Sequence, residues 1–207
     1  MKPLSDLGRG VAILLAAGAA VGCVSVFPKT APAHLYRFGV APAQAAPAQG
    51  GPRFAFVSAP IEFDRAASGD RMLTITGEEA AYIKGARWED SASDLFESAV
   101  EDGFRAEEGP ARLVARGEVG HIDYALRLEV REFDVRYDSG PGSPAVVVKL
   151  HADLSQLDGG RLAGERLFEA RAPASDNRVS AIAAAYNQAV AKVVGDLVAW
   201  VDARGAA

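Results

Sequence analysis

The chain has 207 residues, 22 Lys and Arg against 27 Asp and Glu, a formal net charge of −5, one Cys and three His. That length is one domain with room for a tail, and 49% hydrophobic with 24% charged residues excludes both a wholly disordered chain and a polytopic membrane protein. A single Cys forbids an intramolecular disulfide, and the lack of a Lys/Arg block removes the electrostatic footprint of a nucleic-acid binder.

At the N-terminus, Lys2 and Arg9 precede an apolar run from Val11 to Val21, and small residues lead into Gly22-Cys23. This is the layout of a bacterial export signal. The run is well short of the roughly 20 apolar residues a spanning helix needs. Ala20-Val21-Gly22-Cys23 resembles a lipobox, with Ala20 where the usual residue is Leu. Residues 1–22 are therefore expected to be a lipoprotein signal peptide and Cys23 the acylated first residue of the mature chain. Two alternatives stay open: cleavage near Ala17-Gly18-Ala19, which leaves Cys23 a free thiol, and a retained anchor, since no charge falls between Gly10 and Pro28. Two or three acyl chains, such as palmitate, hold a protein firmly where one chain binds only reversibly. Val24 stands where an inner-membrane retention signal places Asp, which by analogy with Gram-negative sorting favours the periplasmic face of the outer membrane.

From 23 to 52 the chain carries Pro28, Pro32, Pro42, Pro47 and Pro52 among Ala, Gln and Gly. Such a stretch cannot bury a core and reads as a lipid-anchored tether. One island, Leu35-Tyr36-Arg37-Phe38, has the character of a short strand over 35–38 docked on the domain.

The domain is expected over 53–207. Phe54 to Val57 and Ile61 to Phe63 suggest a strand broken at Pro60, and Met72 to Thr76 a second. Ala81 to Trp88 alternates, with Tyr82, Ala86 and Trp88 on one side. Ser91 and Asp94 have capping-box spacing ahead of a helix whose stripe is Leu95, Phe96, Ala99, Val100 and Phe104. Arg112 to Arg116 reads as a short strand. Leu126, Leu128 and Val130 are apolar at even positions, but Phe133, Val135 and Tyr137 at odd ones. A strand that changes phase needs an extra residue, which predicts a β-bulge near Arg131 and Glu132. A turn over 138–144, a strand facing inward through Val146, Val148, Leu150, Ala152 and Leu154, a hairpin turn at Asp158-Gly159-Gly160 and a return strand from Leu162 to Arg171 complete an antiparallel meander. Arg178 to Ala203 is a long amphipathic helix with Val179, Ile182, Tyr186, Val190, Val193, Leu197 and Trp200 on one stripe. The fold class is α+β: two layers, a largely antiparallel (mixed) sheet and two helices packed on one face.

Chemistry is sparse. The chain has no G-x-S-x-G elbow, no H-E-x-x-H and no C-x-x-C. His34, His121 and His151 fall in the tether, a Gly-flanked loop and a strand, a spacing that does not suggest a metal site. The paired acids Glu78-Glu79, Glu89-Asp90, Glu101-Asp102 and Glu107-Glu108 point in different directions along their elements and read as solvated surface. Periodicity assigns Trp88, Tyr186 and Trp200 to the core. No catalytic residue, metal or cofactor is expected.

Tyr82 to Asp90 with the following Leu95-Phe96 helix, Leu128 to Phe133, the Val146 to Leu154 strand and the terminal helix from Ala185-Tyr186-Asn187-Gln188-Ala189 to Trp200 resemble the ABC-type transport auxiliary lipoproteins, the PqiC-like group. The resemblance covers about the whole mature chain, and only Cys23 carries over residue by residue, as the acylation site. It implies a non-enzymatic lipoprotein that works with an inner-membrane ABC permease, its ATPase and an MCE-type protein to move phospholipid or another hydrophobic solute. A homo-oligomer is left open, and an envelope scaffold or assembly lipoprotein is the alternative.

Overall fold

The computed structural model describes residues 33–39, 52–106, 109–115, 117–138 and 142–205. The signal segment 1–22, Cys23 and most of the expected tether lie outside these residues. In chain order the elements are β1 (His34–Tyr36), β2 (Phe54–Ser58), β3 (Glu62–Phe63), β4 (Arg71–Thr76), β5 (Glu79–Trp88), α1 (Ala92–Ala106), β6 (Ala111–Leu113), β7 (Tyr124–Arg136), β8 (Ala145–Gln156), β9 (Leu162–Pro173) and α2 (Val179–Gly205).

The expected meander is present: β7 and β8 pair antiparallel, as do β8 and β9. Along β7 the register passes from Val130 opposite Leu150 to Glu132 opposite Lys149, so Arg131 is the extra residue. That bulge lets Leu126, Leu128 and Val130 before it, and Phe133 and Val135 after it, all face the core. The other side of β7 takes β2, β3 and β4 in turn, each parallel to it. β6 extends β2 in parallel, and β5 continues antiparallel from β4 with β1 parallel beyond it. The result is one mixed sheet of nine strands among the described residues.

Both helices arise where expected. Asp94 donates its backbone N–H to Ser91 Oγ at 3.1 Å, capping α1. Phe96, Ala99, Val100 and Phe104 of α1 are buried, while Leu95 is half-buried. On α2 the expected stripe is buried from Ile182 to Trp200, and so are Ala181, Ala185, Val194, Val198 and Val201. The buried face is wider than an amphipathic stripe because α1 covers α2 from a second side. Gly103 makes this crossing close, since a Cβ there would lie 2.5 Å from Val194 Cγ1.

Against the short strand expected over 35–38, β1 covers His34–Tyr36, and Arg37 and Phe38 follow it outside the strand. β1 pairs His34 to Ala86 and Tyr36 to Trp88, and Phe38, only 2% exposed, packs its ring 4.9 Å from Trp88 and 5.2 Å from Phe133. Burial of a Phe is worth about 1.5–3 kcal/mol. Gly39 N–H also donates to Asn187 Oδ1 of α2 at 3.0 Å.

Two expectations change. The strand expected over Arg112 to Arg116 is Ala111–Leu113; the Ala115 N–H turns to the Glu118 carboxylate at 3.3 Å, and Gly117 follows with φ 85°. Tyr82 does not share the core side of Ala86 and Trp88. The β4–β5 register shifts between Arg71 and Leu73, and Gly85, with φ 73°, accommodates the break. Tyr82 lies outside the core with the Arg71 guanidinium 3.8 Å over its ring, and its hydroxyl donates to the Ala66 carbonyl at 3.0 Å.

Candidate functional site

The element boundaries leave a groove of about 610 Å³ between α1 and the edge of the sheet formed by β2 and β6. Val100 and Phe104 of α1 and Leu113 and Val114 of the β6 segment give it an apolar floor, and Arg53, Arg105 and Arg112 stand at its rim with Glu97 and Glu101. Arg105 pairs with Asp102 at 2.6 Å and Glu101 at 3.5 Å. Arg112 pairs with Glu118 at 2.6 Å, and this guanidinium and the Ala115 N–H hold the Glu118 carboxyl below its usual range.

β6 is an edge strand, and its free side is closed in part from α2. Asp202 Oδ1 accepts the Ala111 N–H at 3.0 Å, the bond an added strand would otherwise make. Burial raises the Asp202 carboxyl above its usual range and the Ala111 N–H pulls it down. Gly109 makes the approach possible, because a Cβ there would fall 2.2 Å from Asp202 Oδ2. Among the described residues the lining contains no His or Cys, and Ser58 Oγ donates to the neighbouring Ala59 carbonyl at 3.1 Å.

The opposite face of the sheet, which neither helix among the described residues covers, carries a charged lattice. Arg136 reaches Glu132 and Asp134 at 2.8 Å each, and Lys149 reaches Glu132 at 2.9 Å. Burial pushes the Asp134 carboxyl up despite the Arg136 guanidinium, while Glu132 holds the Lys149 ammonium above its usual value.

Cys23, the one expected site residue, lies outside the described residues. Trp88, Tyr186 and Trp200 are buried as core. His34 opens β1, His121 is 89% exposed beside Asp123 at 3.1 Å, and His151 lies on that opposite face of the sheet. The paired acids behave as surface where described: Glu89 pairs with Arg37 at 3.3 Å and Glu101 and Asp102 share Arg105, while Glu107 and Glu108 lie outside the described residues. The groove was not legible in the sequence, because its walls come from separate segments that only the parallel β2–β6 pairing joins. Among the described residues no helix is long and apolar enough to cross a membrane.

Comparison with known proteins places this geometry. The crystal structure of protein XCC0632 from Xanthomonas campestris, assigned to DUF330, is similar at 27% identity and a TM-score of 0.71, covering 84% of this chain and 97% of its own. A crystal structure of an uncharacterized protein is similar at 14% identity and a TM-score of 0.62, covering 83% and 99%, which shows the shared fold. No curated protein matches. The family model of the ABC-type transport auxiliary lipoprotein component matches residues 36–198, from β1 to the last turns of α2. The chain belongs to the family of ABC-type transport auxiliary lipoprotein components.

Proposed function

We propose that this protein is a non-enzymatic, outer-membrane-anchored periplasmic component of an MCE-type ABC system, acylated at Cys23, that helps to move phospholipid or another hydrophobic solute between membranes. The observation that carries the reading is the family match over 36–198. The chain has no nucleotide-binding motif, so the energy comes from the ATPase of the partner permease, and an MCE-domain protein supplies the path across the periplasm.

The docked β1 segment refines the tether. Between Cys23 and His34 the chain advances eleven residues, which fully extended span at most about 40 Å. The Pro/Ala-rich stretch 40–51 joins Gly39 to Pro52, both among the residues of the domain, and adds no reach. The domain therefore works close to its membrane. The groove beside α1 supports the solute part of the reading: about 610 Å³ falls within the roughly 300–1,000 Å³ of small-molecule sites, and its apolar floor of Val100, Phe104, Leu113 and Val114 under a rim of both charges suits an acyl chain.

Gentle detergent extraction of the full-length protein, with mass spectrometry of co-purifying proteins, lipids and the N-terminal peptide, tests this. Acylated Cys23 together with an MCE protein, permease and ATPase is the expected result. Acylated Cys23 with envelope structural proteins in their place would sink the transport reading in favour of a scaffold.

A further inference from the structure

We propose that His151, Asp153 and Glu165, on the face of the sheet that neither described helix covers, form a binding site for a borderline divalent transition-metal ion, Zn²⁺ above all. His151 and Asp153 are two residues apart on β8 and so share a face, and the β8–β9 register sets Asp153 directly opposite Glu165. Their ligand atoms all lie within 4.8 Å of one another. His151 Nε2 is 2.8 Å from Glu165 Oε1 and 3.9 Å from Asp153 Oδ1. Zinc bonds of about 2.0–2.2 Å place neighbouring ligand atoms about 3.3 Å apart around a tetrahedral ion, and the two observed separations bracket that value.

Three further features point to a cation. Glu62 and Glu129, which line the same depression, are each paired with an arginine, Arg127 at 2.8 Å and Arg131 at 2.9 Å. Asp153 and Glu165 make no ion pair with Lys or Arg within 4 Å among the described residues, although Arg127 lies opposite Asp153 on β7 and acts on it at longer range; both carboxylates turn to the one imidazole. Four carboxylates, Glu62, Glu129, Asp153 and Glu165, thus stand around His151 against two arginines, Arg127 and Arg131. On the other side of the ring, His151 Nδ1 lies 3.9 Å from Glu129 Oε2, beyond hydrogen-bond distance, and that oxygen accepts from Arg131. The backbone beneath is a paired ladder, and the His151 side chain is only 14% exposed, so the nitrogen is held in place while Glu165, 59% exposed, is free to adjust. One imidazole with two carboxylates suits Zn²⁺, whereas Ca²⁺ and Mg²⁺ favour more numerous oxygen ligands. Three protein ligands leave one position for water. A bound ion would staple β9, the outer strand of the meander, to β8.

The test is Zn²⁺ titration of the mature chain as the Cys23→Ser variant, without a histidine tag, in competition with a chromophoric chelator, and Co²⁺ absorption to report geometry. The expected result is saturation at one Zn²⁺ per chain, unaffected by excess Mg²⁺ or Ca²⁺. His151→Ala and Glu165→Gln each weaken it. His121→Ala leaves it unchanged. Far-UV circular dichroism verifies the His151→Ala fold, and exposed Glu165→Gln gives an independent readout. No saturable Zn²⁺ binding would overturn the proposal, as would binding that survives both His151→Ala and Glu165→Gln or is lost in His121→Ala.

Discussion

Tyr186 offers a test of how the core is built. It is fully buried, with ring centroids 4.9 Å from Trp88 and 4.8 Å from Phe133, and its hydroxyl is the one buried side-chain polar atom without a hydrogen-bond partner among the described residues. Burial, with the nearby Asp134 charge, pushes the phenol well above its usual range. A buried, unpaired hydroxyl costs about 1–3 kcal/mol. Tyr186→Phe removes that cost and keeps the ring contacts, forfeiting only the dispersion of one oxygen at about 0.1–0.2 kcal/mol per contact. The expected net effect is a gain of about 1 kcal/mol, or about 2–4 °C in Tm for a domain of this size. Tyr186→Ala loses the ring and is expected to destabilise by about 3–5 kcal/mol, the range for an aromatic deletion. Urea unfolding of the mature chain as the Cys23→Ser variant, with and without each change, measures both. A loss of 1 kcal/mol or more in Tyr186→Phe would refute the reasoning, because the hydroxyl would then have to be hydrogen-bonded in the folded protein.

Gly→Ala is expected to have opposite signs at two helical positions. A Cβ at Gly195 of α2 meets nothing within 4 Å, so Gly195→Ala gains about 0.5–1 kcal/mol of helix stability. At Gly103 it meets Val194, and overpacking of about 1–3 kcal/mol outweighs the same gain; equal effects in urea melts would contradict the close crossing. The Asp134 carboxyl is raised in the fold above its unfolded value of about 3.9. Its contribution is therefore complete below the unfolded value and lost as pH rises through the raised one. Wild type should gain stability relative to Asp134→Asn as pH falls through the window just above 3.9, and a flat difference would count against burial as the cause. Cys23→Ser is expected to move the protein from the membrane to the soluble periplasmic fraction; unchanged sedimentation would point to a retained apolar anchor. Ala115→Trp, at an exposed position on the groove, should lower co-purifying lipid without changing the unfolding midpoint, whereas unaltered lipid recovery would remove the solute from the groove.

Periodicity determined much of this protein from the sequence. The period of two in β8 and β9, the phase flip around Arg131 and the spacing from Ile182 to Trp200 encode which face is buried, because the backbone geometry of a strand or helix fixes where each side chain points. The Ser91 cap was legible for the same local reason. The tertiary structure decided what depends on residues far apart in the chain. That β2, β3 and β4 share one side of β7 in parallel has no local signature, since parallel neighbours are joined by long crossovers. The buried width of α2 depends on Gly103 admitting Val194, and the groove on Asp202 holding the start of β6. His151 looked isolated along the sequence, yet strand register brings Glu129 and Glu165 to it from β7 and β9. Alternation reveals which face a residue occupies; only the register of neighbouring strands settles what it meets there.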